Sequence, residues 1–467
     1  MGKLKRNFGF WSSCALVISN MVGSGIFISP GQVMADTENF YYTLLIWAGA
    51  GMVALTSALC FLELSLLIPK DGGPYHYIAN GTHKYMGYLY IWMNAVFTRP
   101  ASVAVGAVSF SGYVTDLEGP KLQIGVMTII LWTLLVQFST KWSKYAVNLF
   151  SFAKFAVLFV IALLGLYVFW RQDWSFKGGV NYVPVEGQES HFTSWTLFAA
   201  FWAFDGWDAL SYFIEEIDCP EAVIPKVTWL MTPCITVMYC LVNVAYNIVL
   251  TPQQFATSNA LVADFGQAVL GSFGRNSMLL LYSMCVFGMG ISTLMSSSRL
   301  TMTAAIDDED NAIKALLWRP LGFLHISFNT PILSIYLTSG MAILLTFLFR
   351  DFDRLTAIFG WAAWVFYFCQ FLAVLTLRYY KEDYMHVPRQ YQVPLPLVGI
   401  SLIASLALII VPLIDKKSYI IFGSTMILAV IGMIWYVIWL KFKRKKWFNR
   451  YNDGLVELMQ KMFCVAP

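Results

Sequence analysis

The sequence predicts an all-α polytopic membrane protein of twelve transmembrane helices, and three observations carry that expectation. Of its 467 residues, 58% are hydrophobic and only 12% charged, against roughly a quarter charged in soluble domains. Apolar runs recur from end to end with short polar breaks, most of them near the about 20 residues that cross a bilayer as a helix. Positive charge collects at both ends of the chain and in alternate connections, which is how helical membrane proteins mark their cytosolic side.

The opening MGKLKR leads into an apolar stretch that runs past Gly23 and Gly25 without a convincing cleavage site, so it reads as a retained first helix rather than a signal peptide. Hydropathy places helices near 7–34, 41–68, 84–115, 121–139, 145–170 and 194–217, then near 227–250, 275–303, 330–349, 354–378, 395–414 and 419–441. Lys3, Lys5 and Arg6 at one end and Lys441, Lys443, Arg444, Lys445, Lys446 and Arg450 at the other put both termini in the cytosol. Termini on one side require an even number of spans. The same rule sets Lys141, Lys144, Lys226, Arg378, Lys381 and Arg389 inside, while the loop after the first helix carries only Asp36 and Glu38. The expected organisation is a cytosolic tail over 1–6, one transmembrane domain over 7–441 and a second cytosolic tail over 442–467. In that second tail Leu455, Leu458, Met459 and Met462 share one face of a helix over Tyr451 to Phe463, suited to lying against the membrane or the bundle.

The eight cysteines form no CxxC pair, and Cys60, Cys234, Cys285 and Cys369 lie inside apolar runs as small core residues. The five histidines stand apart, and the chain contains no HExxH, GxSxG or Walker sequence. The sequence thus offers no enzyme site, no metal site and no cofactor. The net charge of +4 lies mostly in the tails and speaks of topology rather than of nucleic acid. Arg6 stands where myristoylation needs Ser or Thr. The sequon Asn80-Gly81-Thr82 falls on the cytosolic side of this topology and is expected to be unused.

Two helices are broken by glycine at matching places, the first at Gly23-Ser24-Gly25 and the sixth at Phe204-Asp205-Gly206-Trp207-Asp208. A single glycine in a membrane helix usually means close packing. Two breaks flanked by polar residues, each in the first helix of a five-helix half, point instead to inverted repeats with a binding site at the breaks. The repeats would be 7–170 and 194–378, with helices over 395–441 appended. Unwound backbone cannot be left bare in lipid, so it must line a cavity and find partners there. A free amino acid supplies both partners. Its carboxylate suits the N–H groups of Gly23, Ser24 and Gly25 and the Ser24 hydroxyl, at the positive start of a half-helix. Its ammonium suits carbonyls of Met21, Val22, Trp202 and Ala203. Asp205 beside such a cavity favours a cationic side chain, or else caps a half-helix beginning at Gly206.

Four runs occur in a consistent order along the chain: Val22-Gly23-Ser24-Gly25-Ile26-Phe27-Ile28-Ser29-Pro30, Ile68-Pro69-Lys70-Asp71-Gly72-Gly73-Pro74-Tyr75, Arg99-Pro100-Ala101-Ser102, and Gly206-Trp207 followed by Glu215-Glu216. Together they resemble the light subunits of the heteromeric amino-acid transporters, within the amino acid, polyamine and organocation superfamily. The resemblance implies a LeuT-like fold and sodium-independent exchange of amino acids by alternating access at the plasma membrane. Trp202-Ala203-Phe204-Asp205-Gly206-Trp207 is most similar to the branch that exchanges cationic for neutral amino acids, and Asp208 is similar to an acid in a second cation-accepting branch. By the same resemblance, Trp202 is an aromatic gate, Trp364 a second pocket tryptophan, and Ser102 of the third run belongs to the substrate site. Lys154 would take the place of the sodium ion of coupled relatives, with Ser296, Ser297 and Ser298 as its expected partners. Read without the resemblance, Lys154 is a costly charge in an apolar helix, unless it snorkels to the inner face.

Two departures from the family pattern matter. The loop Asp116-Leu117-Glu118-Gly119-Pro120-Lys121 lacks the cysteine that in the family joins a single-span glycoprotein. A disulfide-linked heavy chain is therefore not expected, and a noncovalent one stays open. Asp307-Asp308-Glu309-Asp310 replaces a basic-acidic-glycine run and reads as a solvated loop rather than a metal site. Partners are thus amino-acid substrates and the lipid bilayer. Proton-coupled symport through Lys154 and a non-transporting amino-acid sensor are the competing functions.

Overall fold

The computed structural model of the chain describes residues 6–114, 121–138, 140–171, 179–183, 194–258, 260–306, 317–348, 352–414, 419–443 and 446–466. Lys3, Lys5, the loop at 116–120 and the acidic run at 307–310 lie outside the described residues.

The first expected helix is two helices, α1 (Phe10–Met21) and α2 (Gly25–Thr37), bent by 42°. The backbone leaves helical geometry at Val22, with φ −83° and ψ 87°. Asn39 caps α3 (Phe40–Leu67) by accepting from the Tyr41 amide at 2.8 Å. A short helix absent from the sequence reading, α4 (Gly73–Gly81), follows Gly72, whose φ of +71° only glycine adopts freely. Next, α5 (Lys84–Met93) and α6 (Arg99–Val114) form one rod, joined by a π-helical turn over Asn94–Thr98.

Then come α7 (Lys121–Phe138) and α8 (Thr140–Arg171). The sixth expected helix shrinks to α9 (Ser194–Ala203), followed by two 3₁₀ turns at Ala209–Tyr212 and Ile214–Glu216. The second half of the chain holds α10 (Pro220–Val249), α11 (Pro252–Thr257), α12 (Leu261–Ala305), α13 (Ile332–Leu348) and α14 (Phe352–Tyr379). It ends with α15 (Glu382–Met385), α16 (Leu395–Ile414), α17 (Tyr419–Lys443) and α18 (Lys446–Phe463).

Among the described residues, seven helices are long and apolar enough to cross a membrane, eight if α1 and α2 count as one span. The shortfall from the expected twelve has physical causes. Broken spans divide into short pieces, α9 having only 10 residues, and the apolar stretches of α7 and α13 fall just under full length. Of the seven, α12 and α14 are the most deeply buried, and α16 and α17 the least. The last two therefore lie at the rim of the bundle, showing lipid their exposed Ile403, Ile414, Ile427 and Ile434.

Both described ends of the chain lie at one end of the bundle. Asn7 and Phe8 donate backbone hydrogen bonds to the Glu216 carbonyl, at 2.8 and 3.0 Å. Glu216 pairs with Arg299 of α12 at 2.7 Å. At the end of α12, Ala305 packs with Leu321, Phe323, Leu333 and Val465. Val465–Ala466 also forms a two-residue strand antiparallel to Leu324–His325. Of the expected face of the tail helix, Met459 meets the bundle. Val456 and Phe463 pack there with it, while Leu458 and Met462 are exposed. The same end carries a buried ion cluster in which Glu63 receives Arg378, Arg389 at 2.9 Å and the Val393 amide at 2.8 Å. With its lone pairs filled, that carboxylate ties α3, α14 and the segment before α16 together, its pairings offsetting the cost of burying the charge.

Candidate functional site

The two breaks meet each other. A Cβ on Gly206 would lie 2.7 Å from the Asn20 carbonyl carbon and 2.9 Å from the Met21 nitrogen. A Cβ on Gly25 would lie 2.6 Å from the Ala203 Cα. The end of α1 therefore rests on the turn after α9, and the start of α2 rests on the end of α9. Gly206 also holds a φ of 121°, which side-chain-bearing residues rarely adopt.

Ending a helix in the middle of a bundle strands its last carbonyls. Here other helices supply the missing donors. The Tyr239 hydroxyl of α10 lies 2.9 Å from the Met21 carbonyl and 3.1 Å from the Ala203 carbonyl, so one O–H serves the last carbonyls of both α1 and α9. The Gly23 amide turns back to the Met21 carbonyl at 3.0 Å. That leaves the Ser19 carbonyl, which an unbroken helix would have paired with Gly23, and Lys154 Nζ takes it at 2.9 Å.

These contacts exclude one alternative and correct one expectation. Lys154 is fully buried and does not snorkel. Its partner is Ser19 rather than the α12 serines, because the hydroxyls of Ser296, Ser297 and Ser298 bond to Ser292, Thr293 and Met295 carbonyls within their own helix. The carbonyls of Met21 and Ala203 already hold a hydroxyl, and that of Trp202 accepts the Asp205 amide at 3.2 Å. They are therefore less open to an ammonium than the sequence suggests.

Between the breaks lies a cavity of ≈ 40 Å³. Of the residues singled out from sequence, Met21, Gly23, Ser24, Gly25, Ser102, Trp202, Ala203, Asp205 and Asp208 are brought together in its wall. The Ser24 hydroxyl is buried and makes no hydrogen bond among the described residues, and the first amides of α2 beside it have no intrahelical partner. Two expected residues are not in the wall. Val22 is buried behind it, and Trp364 packs on Phe201, Trp207 and Tyr367 with ring centroids 5.4 to 5.7 Å apart. Phe359, from the same helix α14, supplies the aromatic wall instead.

Sequence reasoning passed over Asn20, Arg99, Met289 and Thr293 in the lining. Arg99 carried the signal that singled out Lys154, a positive charge within an apolar stretch.

The two acids differ. Asp208 is buried, 3.1 Å from Arg99 Nη2, and accepts the Tyr212 hydroxyl at 2.6 Å. Asp205 is half-buried and accepts the Tyr367 hydroxyl at 2.6 Å. No α-helix begins at Gly206, so Asp205 caps none. With one guanidinium and two carboxylates, the wall carries one surplus negative charge. A second cavity of ≈ 30 Å³ adjoins the first through Arg99, Ser102, Asp205, Asp208 and Phe359. Both volumes are far below the roughly 300 to 1,000 Å³ of typical ligand clefts, so the site is narrow in this conformation.

The chain is 28% identical to the b(0,+)-type amino acid transporter 1 of Mus musculus over 475 residues, covering 99% of this chain and 94% of the relative. It is 26% identical to the large neutral amino acids transporter small subunit 2 of Rattus norvegicus over 473 residues, covering 99% of this chain and 86% of the relative. Both relatives are transporters and not enzymes, in agreement with the resemblance carried by the four sequence runs. A family model described as amino acid permease matches residues 8–437, nearly the whole multi-pass bundle and both of its breaks, and the chain belongs to that family.

Proposed function

We propose that the chain is a sodium-independent amino-acid transporter of the plasma membrane, exchanging cationic and large neutral L-amino acids by alternating access. The frame we propose is LeuT-like, with twelve spans, inverted repeats over 7–170 and 194–378, two appended helices over 395–441 and both termini cytosolic. The observation that carries the reading is the contact of the two breaks at a narrow polar cavity. The buried Ser24 hydroxyl and the first amides of α2 face the α-carboxylate. The half-buried Asp205 faces a cationic side chain, and Trp202 and Phe359 wall the space for apolar ones. This division accepts the amino-acid backbone common to all substrates and sorts the side chain by charge.

Uptake of labelled arginine and leucine, with and without internal amino acid, tests the reading. Exchange requires substrate on the far side, whereas proton-coupled symport requires only a pH gradient, and binding without uptake would make the chain a sensor. Within that assay, Asp205→Asn should lower arginine uptake selectively. A charge-assisted contact is worth about 1.5 to 3 kcal/mol, or roughly ten- to a hundredfold in affinity. Equal loss of arginine and leucine uptake would remove the cationic part of the proposal.

A further inference from the structure

Arg99 is the cation inside the site, and its surroundings are built. The π-helical turn Asn94–Thr98 ends immediately before it. Such turns are rare and recur at functional sites. The extra residue in the turn rotates the helix beyond it by about 100°, which sets the face that Arg99 presents. The guanidinium reaches Asp208 at 3.1 Å, contacts the Tyr212 hydroxyl and lies over the Tyr212 ring, 4.6 Å from its centroid. Tyr212 in turn donates to Asp208 and lies 3.1 Å from the Tyr90 hydroxyl. The Arg99 side chain is 18% exposed and that of Asp208 only 3%, so the carboxylate lies deeper than the guanidinium.

Position adds to this. Arg99 lines both cavities, and the second continues past it to Asn94 and Thr98. Thr98 is buried, lines that second space, and its hydroxyl has no partner among the described residues. A polar group buried without a partner is costly, and this one faces the compartment that a substrate side chain would enter beyond Asp205.

We infer that Arg99 is a tethered counter-cation that sets the charge selectivity of transport, by occupying Asp208 and leaving Asp205 as the one carboxylate open to a cationic side chain. The inference rests on the reading of this cavity as the amino-acid site. Its logic is charge balance in a narrow, largely buried space. With Arg99 in place, a singly cationic side chain brings the wall to neutrality. Without Arg99, two carboxylates face the cavity, and cationic substrates gain over neutral ones. Without Asp208, Arg99 is left beside Asp205 and offsets it, so cationic substrates lose.

The test uses the full chain in proteoliposomes and reads the ratio of arginine to leucine uptake. Arg99→Gln should raise that ratio about tenfold, the value of one charge-assisted contact. The decisive comparison is Asp205→Asn with and without Arg99→Gln. The single variant lowers the ratio, and adding Arg99→Gln restores it, because Asp208 then becomes the open carboxylate. A pair that merely pinned α6 to the turn at Ala209–Tyr212 could not produce this rescue. If Arg99→Gln does not insert, Asp208→Asn reads the pair from its other side and should lower the ratio about tenfold. A ratio in the double variant equal to that of Asp205→Asn, or unchanged in Asp208→Asn, overturns the inference. A ratio unchanged in Asp205→Asn alone is a different failure, that of the parent reading.

Discussion

Gly23 and Gly25 stand two residues apart and meet different neighbours. A Cβ at Gly23 would come within 2.6 Å of Met289 Sδ, in a flexible side chain that lines the cavity. A Cβ at Gly25 would meet the backbone and Cβ of Ala203, at 2.6 and 2.9 Å, where nothing can rotate away. Gly23 thus faces a neighbour that can move and Gly25 one that cannot. Gly23→Ala should therefore insert normally and lower substrate affinity, as Met289 is pushed into the cavity. Gly25→Ala should lower the thermal midpoint of the purified protein, overpacking of this kind costing about 1 to 3 kcal/mol. Equal midpoints for the two variants would contradict the assignment.

At the level of the elements, the broken helices persist because outside donors replace their lost hydrogen bonds. Tyr239 of α10 and Lys154 of α8 do this for α1 and α9. Removing either donor leaves a buried carbonyl short of a partner, at a cost of about 1 to 3 kcal/mol. Tyr239→Phe and Lys154→Met should each lower the thermal midpoint even without substrate, which differential scanning fluorimetry in detergent would read. An unchanged midpoint in both would mean that the breaks satisfy themselves. The position of Lys154 was legible, since a lone charge in an apolar run is conspicuous. Its partner was not, because only the packing of α8 on α1 brings the Ser19 carbonyl within reach.

Across the whole molecule, the arrangement of charge and thiols bears on coupling and partners. In the proposed cycle Lys154 supplies a fixed positive charge where sodium-coupled transporters hold the ion, so replacing external sodium with choline should leave uptake unchanged. A severalfold drop would sink that role for the lysine. All eight cysteines are free, and only Cys219 and Cys464 are exposed. Both lie at the end of the bundle that holds the described ends of the chain, Cys219 next to Asp218, which donates its amide to Phe8, and Cys464 next to the strand at Val465. In the proposed topology that end is cytosolic, so nonreducing gels of native membranes should show no reducible complex with an external partner. A mass shift abolished by Cys219→Ser or Cys464→Ser would invert the topology.

Consecutive residues alone are enough to show a multi-pass helical bundle and the places where its helices break. Hydropathy, charge bias and paired glycines are properties of consecutive residues, and the lipid solvent makes the first two nearly obligatory. The sequence also brought most of the cavity wall into view, because Met21 to Gly25 and Trp202 to Asp208 lie in two short runs. Which charges pair is set by how the helices pack. Asp205 and Asp208 look equivalent three residues apart, yet Arg99, over a hundred positions away, binds one and leaves the other to Tyr367. Likewise, Trp364 and Phe359 share α14, and only the way that helix packs turns Phe359 to the cavity and Trp364 away. Such choices depend on distances between helices, which a pattern along one chain does not contain.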